Sequence, residues 1–274
     1  MEAIELKKIL SDIKSGERTW EDEQKVVIVN SMLEHIGSTD GELRDHLIYS
    51  LFYQLIVEKN LLEPELLTRL LEVALNDLLW KGIGEKGTDT VFTRSFTSLL
   101  IALILSRDNE DDFLDQNMIL QVKDKLIDYM NLEKDLRGYV ADKGWAHSIA
   151  HVADTFDELI KSKKVDEGLY GEILRALWNK IFVSNSVYIH EEEERILVPI
   201  MEVLERGLEI KEIEILLQQI PNELEKQKSL IGEEEYWFLY ANCKRFLKSF
   251  LIEVQRKPNL YPIQKSLASC LQEI

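Results

Sequence analysis

Five segments of the sequence repeat one apolar pattern at intervals of about 50 residues, and this repetition constrains the fold more than any other feature. The segments align on a histidine or arginine, with spacings of 48, 53, 48 and 50 residues. The five aligned positions are His46, Arg94, His147, Arg195 and Arg245. Apolar residues follow each of them two, five, six and nine places later. At about 100° per residue these offsets form one apolar stripe opposite the aligned residue, which is therefore predicted to face solvent.

Scarcity of turn-forming residues excludes the main alternatives to an all-α fold. The chain of 274 residues has 12 glycines and 5 prolines. A β-sandwich, barrel or propeller needs a turn signal every ~8–12 residues, and an α/β sheet needs short β-branched runs between glycine-rich loops. The apolar residues instead recur at helical spacing almost everywhere, for example over Leu43–Glu58, Phe92–Ser106 and Trp145–Ser162.

Each aligned helix is preceded by another predicted helix of roughly 15–20 residues, so one repeat is a helical hairpin. This organisation predicts a right-handed α-solenoid of about five HEAT-like hairpins, forming a single domain over residues 1–274. The predicted units are 20–60, 61–108, 112–163, 164–208 and 209–256, followed by a capping helix over 262–272.

Charge and composition restrict the partners and the compartment. With 33 basic and 50 acidic residues the net charge is −17, which repels nucleic acid. The longest apolar run, Leu99–Leu105, is far shorter than the ~20 residues that cross a bilayer, so no membrane partner is expected. The polar residues 1–8 predict no export signal, and Cys243 and Cys270 are interpreted as reduced thiols. These features together predict a cytoplasmic protein.

The aligned residues and those three, four and seven places after them are predicted to line one polar, concave face. Its candidate ligand-binding residues are His46, Tyr49, Tyr53, Arg94, Ser98, His147, His151, Asp154 and Arg195. Mixed charge and two tyrosines are typical of a groove that holds a polar or anionic ligand, or a segment of a protein or peptide partner. The sequence therefore favours a non-catalytic binding module, although an ordinary solvated helix face has the same composition.

Arg94 and His147 are the candidate centre of this groove. Arginine offers a rigid fork to a carboxylate or phosphate, and a histidine near an aspartate adjusts its protonation to the ligand. We expect a small anionic group, or an acidic side chain of a partner, to dock between them. The alternative is that Asp89 or Asp154 already neutralises Arg94 within the protein.

An enzymatic alternative rests on three residues at positions i, i+4 and i+7. His147, His151 and Asp154 would lie on one face of one helix, as ligands of a metal-dependent hydrolase. The histidine pair is similar to that of HExxH metalloproteases, but the glutamate that acts there as general base is missing. Hydrogen-bonded histidines packed between repeats are the other interpretation, so we assign no metal and no cofactor, and leave open whether the protein is an enzyme.

Two connectors between predicted helices are unusual. The glycine connector, residues 81–90, contains a GxGxxG pattern, but a helix precedes it where a dinucleotide-binding site has a strand. The charged connector, residues 133–143, alternates acidic and basic residues, which predicts ion pairs within or between repeats. Neither a P-loop nor a serine nucleophile elbow occurs in the sequence.

Several strings in and around these connectors are distinctive. They are Leu43-Arg44-Asp45 with Leu47-Ile48-Tyr49, Thr88 to Phe96, Glu133 to Tyr139, Lys143 to His147 with His151 and Asp154, and Glu194-Arg195. The chain thereby resembles, over about residues 20–200, a bacterial family catalogued as domain of unknown function 2785. The resemblance implies a cytoplasmic bacterial protein and adds no catalytic residue.

Overall fold

The computed structural model describes residues 1–20 and 24–274, and the protein is all-α. Contacts divide it into two compact units, Met1–Ser162 and Lys163–Ile274. This boundary coincides with the predicted end of the third repeat unit, 112–163, whereas one continuous solenoid domain stays a prediction. Residues 21–23 of the predicted first unit lie outside the described residues.

Seven α-helices occur in the described part of the first unit. They are α1 (Ala3–Ser15), α2 (Lys25–Glu34), α3 (Ser50–Tyr53), α4 (Pro64–Asn76), α5 (Thr90–Asp111), α6 (Gln116–Leu132) and α7 (Ser148–Lys161). Two short antiparallel strands, β1 (Tyr139–Val140) and β2 (Gly144–Trp145), form a hairpin between α6 and α7. Helix α1 was not predicted, although Leu6 and Leu10 give it a buried apolar face.

The second unit consists of five α-helices, which largely follow the predicted pattern. They are α8 (Tyr170–Asn179), α9 (Glu192–Glu205), α10 (Ile210–Lys228), α11 (Glu233–Val254) and α12 (Tyr261–Glu273). Helix α12 corresponds to the predicted capping helix 262–272. Pro221 lies inside α10, which continues through it to Lys228.

Helix α5 forms the core of the first unit, packed against α4 and α7. It is long and apolar enough to cross a membrane by length and composition, but 83% of that window is buried within the protein, as in the core helix of a soluble protein. Its polar positions are buried too. Ser98 Oγ, for example, donates to Ser95 O at 2.6 Å. The prediction that Arg94 and Ser98 face solvent is wrong, because other elements cover every side of α5.

The segment predicted as one α-helix over Leu43–Glu58 is π-helical over most of its length. Glu42–Tyr49 and Gln54–Glu58 have π geometry on either side of α3. The bond from Lys59 N to Gln54 O, at 2.8 Å, shows the i to i−5 spacing. This wider winding departs from 100° per residue, and π segments are often found at functional sites.

The structure also differs from the prediction at the start of the helix predicted over Trp145–Ser162. Gly144, at φ +80°, and His147, at φ +46°, have left-handed backbone conformations that interrupt an α-helix. Helix α7 therefore begins only at Ser148, and Trp145 belongs to the hairpin. His147 is the N-cap residue of α7 and is not part of its regular turns.

We predict that the apolar stripe of α5 carries a large part of the stability. Leu103 is 6% exposed, so the variant Leu103→Ala leaves a cavity and should lower the free energy of unfolding by about 2–5 kcal/mol. Val73→Ala, at a 43% exposed position on α4, is the matched control and should change it by less than about 0.5 kcal/mol. Urea titrations followed by circular dichroism measure both, and equal losses would contradict the assignment of α5 to the core.

Candidate functional site

Arg94 lies near the N-terminus of α5 and forms a fully buried ion pair. Its Nε and Nη2 donate to the two carboxylate oxygens of Glu133 at 2.5 and 2.9 Å, and both side chains have no exposed area. Its Nη1 donates to Lys81 O at 3.2 Å and to Thr90 Oγ1 at 3.0 Å. Burial disfavours the charged guanidinium, but the hydrogen bond and charge of Glu133 outweigh it and raise the pKa of Arg94.

A chain of hydrogen bonds extends this pair through the charged connector. Glu133 accepts a bond from Asp135 N at 2.8 Å. The carboxylate of Asp135 accepts from Gly87 N at 2.9 Å and from Arg137 Nε at 2.8 Å. Arg137 Nη2 in turn donates to Thr88 O at 2.6 Å. The predicted ion pairing of the charged connector is confirmed, and it ties that connector to the glycine connector.

A second buried arginine, Arg44, holds the hairpin in place. Its Nη2 donates to Lys143 O at 2.7 Å and to Trp145 O at 3.2 Å, on either side of Gly144. Its Nη1 donates to Ser38 O at 2.6 Å. A Cβ on Gly144 would lie 3.1 Å from Nη2, so only glycine allows this close approach together with the left-handed backbone.

The guanidinium of Arg44 lies between aromatic rings and a carboxylate. Its Cζ is 4.3 Å from the ring centre of Phe92 and 4.8 Å from that of Phe96, both within cation–π range. Its Nε is 2.8 Å from Asp45 Oδ1. Burial lowers the pKa of Arg44 and raises that of Asp45, and in each case the partner's charge opposes the shift. Arg44 is thus a buried cation whose other donors are satisfied by backbone carbonyls.

Six rings follow one another from the hairpin to the interior of the first unit, and we call them the aromatic row. In order they are Tyr139, Trp145, His147, His151, Phe96 and Tyr49. Successive ring centres are 5.2, 4.4, 5.8, 5.1 and 6.3 Å apart. The row begins at exposed rings, with Tyr139 54% and Trp145 39% exposed, and runs inward to Phe96, which is 4% exposed.

The structure places the predicted site residues in different environments. Tyr49, His147 and His151 are brought together in the aromatic row. His46 and Tyr53 are exposed, as predicted. The remaining predicted residues are Asp154, which is half-buried in α7, Ser98, which is buried in α5, and Arg195, which is half-buried in the second unit.

The prediction of an open anion site at Arg94 is wrong. Its guanidinium is closed to solvent and already neutralised, and the carboxylate responsible is Glu133. Of the two carboxylates considered from the sequence, Asp89 instead contacts Lys143 Nζ at 2.7 Å. A buried arginine with both forks occupied has no donor geometry left for a ligand.

The predicted metal trio is not assembled over the part of the chain that the structure describes. The left-handed backbone of His147 removes it from the helical face that carries His151 and Asp154. The ring of His151 is 8% exposed and packs edge-on against Phe96. Within these described residues the three do not form a group with ligand atoms within 4.8 Å of one another.

Sequence reasoning missed the hairpin and its anchor. Arg44 precedes an apolar stripe and was not singled out as a buried cation, while Trp145 was placed inside a helix. The available signal was the pair Gly138 and Gly144, which flank a run of only five residues.

This fold and site define a class of protein: it is all-helical and has a buried ionic network beneath an exposed aromatic hairpin. The sequence model described as "Protein of unknown function (DUF2785)" matches residues 79–252, more than half of the chain, and the chain belongs to this family. The match contains both connectors and α5, and it extends beyond the predicted limit near residue 200. The comparisons with curated proteins and with solved structures found no match.

We predict that Arg94 is a main determinant of stability. The variant Arg94→Ala leaves Glu133 as a buried charge without its guanidinium partner and should lower the free energy of unfolding by about 3–5 kcal/mol. Arg69→Ala, on the exposed side of α4, is the matched control and should cost under about 0.5 kcal/mol. Thermal and urea unfolding measure both variants.

The double variant Arg94→Met with Glu133→Leu replaces both partners of the buried ion pair by apolar residues. It thereby distinguishes the net contribution of the pair from the cost of leaving one buried charge behind. Because it removes both buried charges, it should be more stable than either single variant. If Arg94→Ala lowered the free energy of unfolding no more than the control does, the assignment of a buried ion pair would be contradicted.

Proposed function

We propose that this protein is a non-catalytic binding module and that its aromatic hairpin contacts a segment of a partner protein. The observation that carries the proposal is the exposure of Tyr139 and Trp145, whose rings meet edge to face at 5.2 Å on neighbouring strands. Tyrosine and tryptophan are enriched among the residues that contribute most binding energy at interfaces. Their exposure in the first unit is therefore difficult to attribute to packing.

Rigidity of the hairpin supports a role in recognition. Arg44 fixes the backbone on either side of Gly144, and β1 pairs with β2 directly beside it. A preorganised surface loses less conformational entropy on binding than a mobile one. Buried polar anchors beneath exposed rings are thus what a binding surface of this kind needs.

His147 gives this apolar surface a polar edge. Its ring stacks on Trp145 at 4.4 Å with an angle of 26°, and it is half-buried. An imidazole hydrogen-bonds to neutral or anionic groups. We therefore propose a partner segment that places an apolar side chain on Trp145 and a polar or anionic group beside His147, in the cytoplasm and without nucleic acid or membrane.

The finer architecture, a right-handed solenoid of about five HEAT-like hairpins, is also part of this proposal. Support comes from hydrogen bonds between residues one predicted period apart, observed within each unit. In the first unit such bonds join Gly87 to Asp135, Asn109 to Glu158 and Arg107 to Ile56, at separations of 48, 49 and 51 residues. In the second unit Arg245 bonds Glu193 and Lys257 bonds Glu205, both at a separation of 52. Stacked repeats make contacts of this kind.

Site-specific photo-crosslinking in cells of the native host tests the binding role. A photoreactive phenylalanine analogue in place of Tyr139 should give one discrete crosslinked species, which should be lost when Trp145→Ala is added. Trp237→Ala is the matched control, because Trp237 is 55% exposed in the second unit, and it should leave the crosslink unchanged. Circular dichroism should confirm that all variants fold.

Three outcomes would count against the proposal: no discrete species at Tyr139, a species insensitive to Trp145→Ala, or equal loss with the control variant. Arg44→Lys gives a further check on preorganisation. It keeps the charge but lacks the planar fork. We expect it to weaken the crosslink while increasing amide exchange in the hairpin.

Metal analysis tests the alternative of a hydrolase that uses His147, His151 and Asp154. Since His151 is buried against Phe96, we expect the metal content of the purified protein to be the same in wild type and in His151→Ala and Asp154→Asn. Mass spectrometry of the elements measures it. One transition-metal ion per chain that disappears in both variants would favour the hydrolase instead.

A further inference from the structure

An open cleft in the second unit lies between α10 and α12. Its volume is about 620 Å³, within the usual range for small-molecule sites. Leu217 and Cys270, which are buried, contribute apolar lining, and Tyr261, which is 64% exposed, adds a ring. The proposed function does not use this cleft.

Three charged side chains line the cleft: Glu214, Lys265 and Glu273. Ser266 Oγ donates to Glu214 Oε1 at 3.2 Å, which places this carboxylate beside Ser266, and Lys265 lines the same cleft. Glu273 accepts a bond from Ser269 at 3.1 Å. Because Ser269 lies three residues after Ser266 along α12, the second carboxylate lies less than one helical turn, roughly 5 Å, further along the helix.

We propose that this cleft binds a free amino acid with a cationic side chain. The α-ammonium group pairs with Glu214, the α-carboxylate with Lys265, and the side-chain cation with Glu273. The aliphatic part of the ligand lies over Leu217 and Cys270, whose apolar surface suits it. Glu214 and Lys265 match the two charges of a zwitterion, and Glu273 matches the side-chain cation.

Other ligand classes leave charges of the cleft without a counterpart. A polyamine offers nothing to Lys265, which is exposed. An acidic ligand meets two carboxylates. Arginine fits better than lysine, because its guanidinium binds a carboxylate with two parallel hydrogen bonds and stacks on a ring such as that of Tyr261.

Isothermal titration calorimetry on the full chain tests the proposal with L-arginine, agmatine and the dipeptide Gly-Arg. Agmatine lacks the α-carboxylate, and in the dipeptide the α-nitrogen of arginine is an uncharged amide, with the ammonium group displaced onto glycine. We expect saturable binding of one L-arginine per chain with a dissociation constant of about 1 mM, a weak affinity that suits an open cleft. Agmatine and Gly-Arg should each bind about tenfold more weakly, the loss of one charged hydrogen bond.

Variants assign each charge separately. Lys265→Gln should weaken the binding of arginine about tenfold and leave the binding of agmatine unchanged. Glu273→Gln should weaken the binding of both ligands. Glu233→Gln changes the net charge equally at an exposed position in α11 and should change neither. Each of these results supports the assigned contacts.

Equal affinity for arginine and agmatine would overturn the α-carboxylate contact and with it the amino-acid assignment. An equal loss of affinity for arginine in Glu233→Gln and Glu273→Gln would show that the acidic protein attracts cations in general. No binding at 10 mM would also overturn the proposal, and tighter binding of Gly-Arg would assign the cleft to peptide C-termini. None of these outcomes affects the crosslinking test of the hairpin.

Discussion

The ion pair between Arg94 and Glu133 is the interaction on which the first unit depends. Two charges removed from water are costly unless each finds enough hydrogen bonds, so the surrounding backbone must supply them. Lys81 O and Asp135 N are among the groups that do so. The hydrogen bonds that this one buried pair requires therefore fix both connectors, and the hairpin begins within the charged connector, at Tyr139. A local electrostatic requirement thus organises segments that have little regular secondary structure.

The sequence predicted the helices well and the environment of α5 poorly. Apolar periodicity shows which side chains share a face of a helix, and for most helices the apolar face is the buried one. It does not show what lies over the polar face. In α5 the connectors cover the side that carries Arg94, so a position with the pattern of a solvated residue is fully buried. Nor does periodicity distinguish α from π winding, and the segment around His46 and Tyr49 differed for that reason.

The candidate site was predicted in part. Tyr49, His147 and His151 were predicted to line one face, and they do share the aromatic row. Tyr139 and Trp145, which give the site its exposed surface, were missed, because one was assigned to a charged turn and the other to a helix. Left-handed backbone at Gly144 and His147 changes both assignments. Only the tertiary contact with Arg44, about 100 residues away in sequence, shows why that backbone is required.

The burial of α5 also has a consequence for synthesis on the ribosome. This helix ends at Asp111, and its packing partner α7 begins at Ser148, so nearly 40 further residues must be translated before α7 starts to emerge. At about 5–20 residues per second this takes about 2 to 8 seconds. Throughout that interval the nascent chain carries an apolar helix of 22 residues without its partner. Arg94 and the hydroxyl-bearing residues near it reduce the hydropathy of that helix, and so weaken its competition for membrane insertion while folding is incomplete.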